Sequence, residues 1–240
     1  VRTPRAAALA LPLLVLPLLV ACGDDTAASL PPLTTAAPPT ATTAAGSFDD
    51  AALRAALLDQ ADLPVGFVPL PDPVDDLGLP PASESAESDL SSTEPRVCAD
   101  VLAPISDQAP GATAQAVARF TGPDFASIDT DAAAYADAGA AFTAVQRTLT
   151  ACTEYSGTDA EGIAVTYRLG GLDQPSVGDA SIAVRLETGS EGFTMVSDTV
   201  ITVVDGAVVQ VTATGQDPVD PGVLTTLART AAENLRDDTP

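Results

Sequence analysis

The chain has no histidine, no lysine and no tryptophan, and all 10 of its basic residues are arginine. Without His there can be no Ser-His-Asp triad, no Cys-His dyad and no His-ligated zinc. Without Lys, Schiff-base and Ser-Lys chemistry are excluded. Also missing are G-x-S-x-G, the P-loop, G-x-G-x-x-G and the D-x-D-x-D-G calcium loop. Carboxylates are then the remaining general acids and bases. Asp129, Asp131 and Asp137 are nominal candidates, but Asp collects at helix starts for capping and dipole reasons, and the three read as capping residues. Asp179, in "SVGDAS", reads as a turn residue. The expectation is therefore a protein that is not an enzyme, with no catalytic residue, no metal site and no cofactor.

Positive charge is scarce as well: 10 basic against 33 acidic side chains leave a formal net charge of −23. Nucleic acid is excluded as a partner, because phosphates are repelled and no basic patch exists to release counterions. The same field disfavours lying flat on an anionic membrane; it suits solubility and the attraction of cationic partners. Because Arg is rare, Arg119, Arg168 and Arg185 stand out. They fall on separate expected strands and could converge on one sheet face to hold a ligand carboxylate or phosphate by bidentate contact. The plainer reading pairs each with an acid on a solvated face.

Only three cysteines are present. The first, Cys22, ends a 16-residue apolar run over 6–21 that follows Arg2 and Arg5. That run is short of the about 20 residues a spanning helix needs, and Pro12 and Pro17 interrupt it. A charged start, a short apolar stretch and small residues before a cut site describe a secretory signal peptide over 1–21. The quartet Leu19-Val20-Ala21-Cys22 resembles the bacterial lipobox. That resemblance implies diacylglyceryl attachment at Cys22, which would anchor the chain at the extracytoplasmic face of the cell membrane. Two acyl chains give stable anchoring where one is marginal. The alternative is an ordinary signal peptide with an incidental cysteine. The remaining pair, Cys98 and Cys152, reads as a disulfide in an exported chain. Closing a loop of about 55 residues is worth roughly 4 kcal/mol in the chain-entropy picture. Two free buried thiols are the alternative.

Behind the leader, residues 22–47 carry Thr, Pro and Ala and read as a flexible tether that can lift the domain off the membrane. The folded domain is expected over 48–240. A helix capped by Asp49 or Asp50 runs to about Asp59. An extended piece follows within 63–70, and then a Pro-, Ser- and acid-rich exposed loop over 71–95. A short helix is expected over 98–105 and a strand over 113–122. Asp129 is expected to cap a helix reaching from about 130 to 152, with Tyr135, Ala138, Phe142, Val145, Leu149 and Cys152 on its buried stripe. Strands follow over 162–169, 180–187, 193–204 and 207–214, the last two joined by an Asp205-Gly206 hairpin turn. A helix opened by Pro221 closes the chain near Leu235. This order predicts an α+β fold: one antiparallel sheet of about five strands packed with helices.

Several stretches together resemble a known family. They are "LRAALLDQADLPVGF" (53–67), Cys98 with Cys152 ending an Ala-rich helix, "GLDQPSVGDASIAVRLE" (171–187), the "VITVVDGAVVQV" hairpin and the closing "LARTAAENL". With the lipobox and tether, their order is similar to actinobacterial lipoproteins sharing the extracellular sensor domain of the mycobacterial serine/threonine kinase PknH. The Ala-, Thr-, Pro- and Asp-rich composition likewise resembles that of high-GC actinobacteria. The resemblance covers about residues 48–238 and implies an α+β domain with a sheet-and-helix cleft for an unknown small ligand or an envelope partner. The kinase sensor carries a second disulfide, whereas this chain has cysteines for one, and no individual binding residue transfers. Two other readings remain open: a lipid or glycolipid carrier with an apolar cavity, and a protein-docking module using the loop 71–95.

Overall fold

A computed structural model describes residues 29–39, 48–71 and 89–237. The expected signal peptide, Cys22 and most of the acidic loop (72–88) lie outside the described residues.

Helix α1 (Asp50–Ala56) begins where the Oδ1 of Asp49 accepts the N–H of Ala52 at 2.8 Å. It stops before Asp59 because that residue caps a separate helical turn, Gln60–Asp62, through a reciprocal capping box. The chain then enters β1 (Val68–Pro69) and, after the loop, β2 (Ser92–Glu94). The short helix expected over 98–105 is instead two pieces: a turn at Arg96–Cys98 and α2 (Ile105–Gln108). Pro104 opens α2 rather than ending a helix, consistent with its fixed φ and missing N–H.

Strand β3 (Ala114–Thr121) leads into β4 (Ser127–Ala134), where a helix start was expected. The Ala content and the two aspartates suggested helix, but β4 is paired along its whole length by β3 on one side and β9 on the other. Tertiary pairing overrides local preference here. Helix α3 (Ala138–Ala151) begins later, capped by Asp137, whose Oδ1 accepts the N–H of Ala140 at 2.8 Å. The expected stripe survives this shift: Tyr135, Ala138, Phe142, Val145, Leu149 and Cys152 are all buried. The remaining strands are β5 (Glu154–Thr158), β6 (Ala164–Gly171), β7 (Ala180–Ser190), β8 (Phe193–Val204) and β9 (Ala207–Gly215). Helix α4 (Pro221–Asp237) closes the fold.

The fold is α+β as expected, but among the described residues its sheet has nine strands, in the order β1-β3-β4-β9-β8-β7-β6-β5-β2, rather than five. All pairings are antiparallel. β1 falls within the extended piece expected over 63–70, and the three strands with no counterpart in the sequence reading have particular causes. β2 is a three-residue edge strand with no periodicity to detect. β4 was read as helix, and β5 follows Cys152 with one large apolar side chain, Tyr155.

Because side chains alternate across a strand, the register sorts residues onto two faces. One face carries Ala116, Phe120, Ile128, Ala132, Val200, Val209 and Val211, and packs under α1 and α4 with Leu53, Leu224, Leu227 and Leu235. The other carries Ala133, Leu169, Ile182, Val184, Ile201 and Val208, and packs under α3 and α2 with Phe142, Val145, Leu149 and Ile105. The sheet is thus covered by helices on both sides. Fully burying each such Leu or Phe contributes about 1.5–3 kcal/mol. The Cys98–Cys152 disulfide is formed, with its Cα atoms 5.6 Å apart, and ties the Arg96–Cys98 turn to the end of α3. Among the described residues no helix is long and apolar enough to cross a membrane.

One part of the expected tether differs from a free segment. Residues 29–39 lie extended along the domain, with Leu33 and Ala36 packed on the α3-side core. A carboxamide on α3 and two glycines on β6 receive the segment, and neither feature can be read from the segment's own composition.

Candidate ligand-binding cleft

Where β3, β4, β9 and β8 cross the α3 side of the sheet, beyond α2, the apolar rows give way to polar ones. Cross-strand partners share a face, and the register aligns Arg119, Asp129, Thr212 and Thr199 in one row. Val117, Asp131 and Gln210 form the adjacent row, and Thr121, Ser127, Thr214 and Ser197 the row on the other side. Of these, Val117, Arg119, Asp129, Asp131, Ser197, Gln210, Thr212 and Thr214, with Leu102, Pro104 and Leu186, line a cleft of about 230 Å³.

At its foot the Oδ1 of Asp131 accepts the N–H of Ile105 at 2.7 Å, and its Oδ2 accepts the Nε2 of Gln210 at 3.0 Å. The Oε1 of Gln210 in turn accepts the Nε2 of Gln108 at 2.9 Å. Asp131, Gln108 and Gln210 are all buried. Above them hydroxyls pair across strands, Ser197 with Thr214 at 2.8 Å and Thr199 with Thr212 at 3.0 Å. The hydroxyl of Ser127 donates to Asp129 at 3.0 Å. Tyr135 holds α2 in place, its hydroxyl donating to the carbonyls of Ile105 at 3.1 Å and Ala109 at 2.6 Å.

Burial is the dominant influence on the two carboxyls. It pushes Asp131 up to about 7, against the pull of the Ile105 N–H, the Gln210 carboxamide and the positive Arg119. Burial also raises Asp129, opposed by the Ser127 hydroxyl and Arg119. An unfolded chain loses the Asp131 proton near pH 4 and the folded chain near 7. Between those values the folded state binds more protons, so this group's contribution to stability falls as pH rises. Accordingly, the melting temperature should decline from pH 5 to pH 8, and Asp131→Asn should flatten that decline. A variant that loses stability as steeply as the parent, in scanning fluorimetry at both pH values, would refute this assignment.

The structure separates the three arginines instead of bringing them together. Arg119 stands on the cleft face, opposite Asp129 in the register. Arg168 and Arg185 point to the other face of the sheet. Arg185 makes a bidentate pair with Asp198, at 2.6 and 2.7 Å, and Arg168 pairs with Glu187. A three-arginine anion pocket is therefore not formed; Arg168 and Arg185 follow the plainer ion-pair reading. Of the nominated carboxylates, Asp137 is a helix cap, while Asp129 and Asp131 sit on β4. Asp179 accepts the N–H of Asp205 at 2.9 Å and pairs with Arg236, as befits a turn residue.

Sequence reasoning missed Gln108, Gln210 and the paired hydroxyls. A signal existed: in "VVQVTATG" (208–215) Gln210, Thr212 and Thr214 recur every second residue within an apolar strand, placing three polar groups on one covered face. Asp129 and Asp131 repeat the pattern on β4.

This arrangement defines a single α+β domain with one broad antiparallel sheet between helical layers and a polar cleft on one face. It is the fold of a solved structure, the extracellular domain of PknH from Mycobacterium tuberculosis. That structure matches with a TM-score of 0.60 and 13% identity, over 81% of this chain and 100% of that one. An uncharacterized protein from Mycobacterium smegmatis matches more loosely, with a TM-score of 0.41 and 16% identity over 74% of this chain and 93% of that one. No protein-family model and no curated protein matches the sequence.

Proposed function

We propose that this chain is a lipid-anchored, non-catalytic extracytoplasmic domain that binds a small polar ligand in the cleft above Asp131. The observation that carries the reading is the cleft itself: a buried carboxylate and a carboxamide at the foot, with hydroxyls and a second carboxylate on the walls. Such groups hydrogen-bond hydroxyl- or amine-bearing molecules. The net charge of −23 favours neutral or cationic ones over anions. The PknH extracellular domain, which has the same fold, supports a place outside the cell membrane. The disulfide supports an oxidising compartment, and the lipobox supports anchoring through Cys22.

Binding is favoured over catalysis because both oxygens of Asp131 are already engaged by N–H donors from Ile105 and Gln210. A general acid or base needs an oxygen open to substrate. An apolar carrier is less well supported: the Val- and Leu-rich rows on both faces pack against helices and do not line the polar cleft.

Native mass spectrometry of the chain exported from an actinobacterial host tests this. The expected result is a non-covalent adduct that disappears on denaturation and is lost in Asp129→Ala, together with a diacylglyceryl mass on Cys22. A bare protein mass would overturn the ligand reading and favour docking to an envelope protein.

A further inference from the structure

Residues 29–39 read "SLPPLTTAAPP", with no charged side chain. Along this segment Leu30, Leu33, Ala36 and Pro39 are partly buried, and the seven residues between and beside them are exposed. A repeat of three is the period of the polyproline II helix. The four prolines at 31, 32, 38 and 39 predispose the segment to that conformation and lower the entropy lost on ordering it. In that conformation one edge faces the domain and the other two face solvent.

The domain side is built to receive it. Gly170 and Gly171 end β6, where glycine weakens a strand and marks the close approach of another backbone. A Cβ on Gly170 would lie 2.4 Å from the Cβ of Leu30, and one on Gly171 would lie 2.6 Å from the carbonyl oxygen of Pro32. The N–H of Gly171 donates to the carbonyl of Pro31 at 2.8 Å. On α3, the buried carboxamide of Gln146 takes both backbone groups of Ala36: its Oε1 accepts the N–H at 2.7 Å and its Nε2 donates to the carbonyl at 3.1 Å. Leu33 and Ala36 fill the apolar surface between these two sites. Backbone capture with apolar contacts at every third residue is how grooves recognise polyproline II peptides.

We propose that the groove between α3 and the end of β6 is a binding site for an uncharged, proline-flanked peptide in the polyproline II conformation, and that residues 30–36 are its intramolecular ligand. Tethering gives the resident segment an effective concentration in the millimolar range, so a free peptide competes poorly until that segment is released.

The test uses the chain as exported and a fluorescein-labelled peptide of sequence SLPPLTTAAPP. In the parent chain the Ala36 amide should exchange slowly with solvent, because Gln146 holds it. In the Leu30→Asp/Leu33→Asp chain the groove should open and bind the labelled peptide with a submillimolar Kd. The parent chain should bind it at least about tenfold more weakly, and adding Gln146→Ala to the double variant should cost at least about tenfold in affinity. Binding should be insensitive to salt, since no charge takes part. Two results would overturn the proposal: no peptide binding by a folded double variant, or binding that Gln146→Ala leaves unchanged. Exchange of the parent Ala36 amide at an unprotected rate would do so without recourse to any variant.

Discussion

Reducing the Cys98–Cys152 bond, or replacing both cysteines by serine, is expected to destabilise the domain by about 2–5 kcal/mol. For a domain of this size that is a fall in melting temperature of roughly 5–15 °C. Both cysteines are buried and lie 54 residues apart in sequence, so the bond closes a long loop in the unfolded chain. It also holds the Arg96–Cys98 turn against the end of α3, and α2 follows directly. The loss should therefore appear in thermal unfolding and as faster amide exchange through α2 and the cleft floor at Ile105. A melting curve unchanged after thiol titration has confirmed full reduction would show that packing alone holds this corner.

The second large effect is expected from Arg185→Ala. Asp198 is almost fully buried, and its two oxygens are taken by the Nε and NH2 of Arg185 on the neighbouring strand. Removing the guanidinium leaves an uncompensated charge in the sheet, which costs about 3–5 kcal/mol. Arg168→Ala provides the contrast. Its pair with Glu187 lies nearer solvent, with the arginine side chain 41% exposed against 22% for Arg185. Exposed pairs contribute about 0–1 kcal/mol. Chemical denaturation of the two variants should thus separate them by several-fold in ΔΔG. Equal effects would mean that exposure does not set the worth of these pairs. Asp198→Asn in the Arg185→Ala background should recover part of the loss, because the stranded charge is then gone.

Elements whose code is local were legible in the sequence. The Asp205-Gly206 hairpin, the strands on either side of it and the Pro221-initiated helix match the structure to within a few residues. Turn chemistry, strand alternation and helical spacing are all carried by neighbours in the chain. The buried stripe from Tyr135 to Cys152 was legible for the same reason, although the helix start was placed early. Asp129 and Asp137 are equally good caps in isolation, and only pairing of residues 127–134 with β3 and β9 decides between them. The cleft was illegible as a site. Its members come from six separated stretches, and the importance of Asp131 arises from burial beside Ile105 and Gln210, not from residue type.

By itself the sequence determined the acidity of this chain, the cysteine pair, the helix-and-hairpin plan of its second half and the α+β class. These depend on composition and short-range spacing. Only the tertiary structure decided that the sheet has nine strands and that Arg119 faces away from Arg168 and Arg185. It alone placed two aspartates on a strand above buried carboxamides and laid a proline-flanked segment against Gly170, Gly171 and Gln146. Each of these is a matter of register or of contact between residues far apart in the chain. A shift of one residue in register would have turned Arg119, Asp129 and Asp131 to the opposite face.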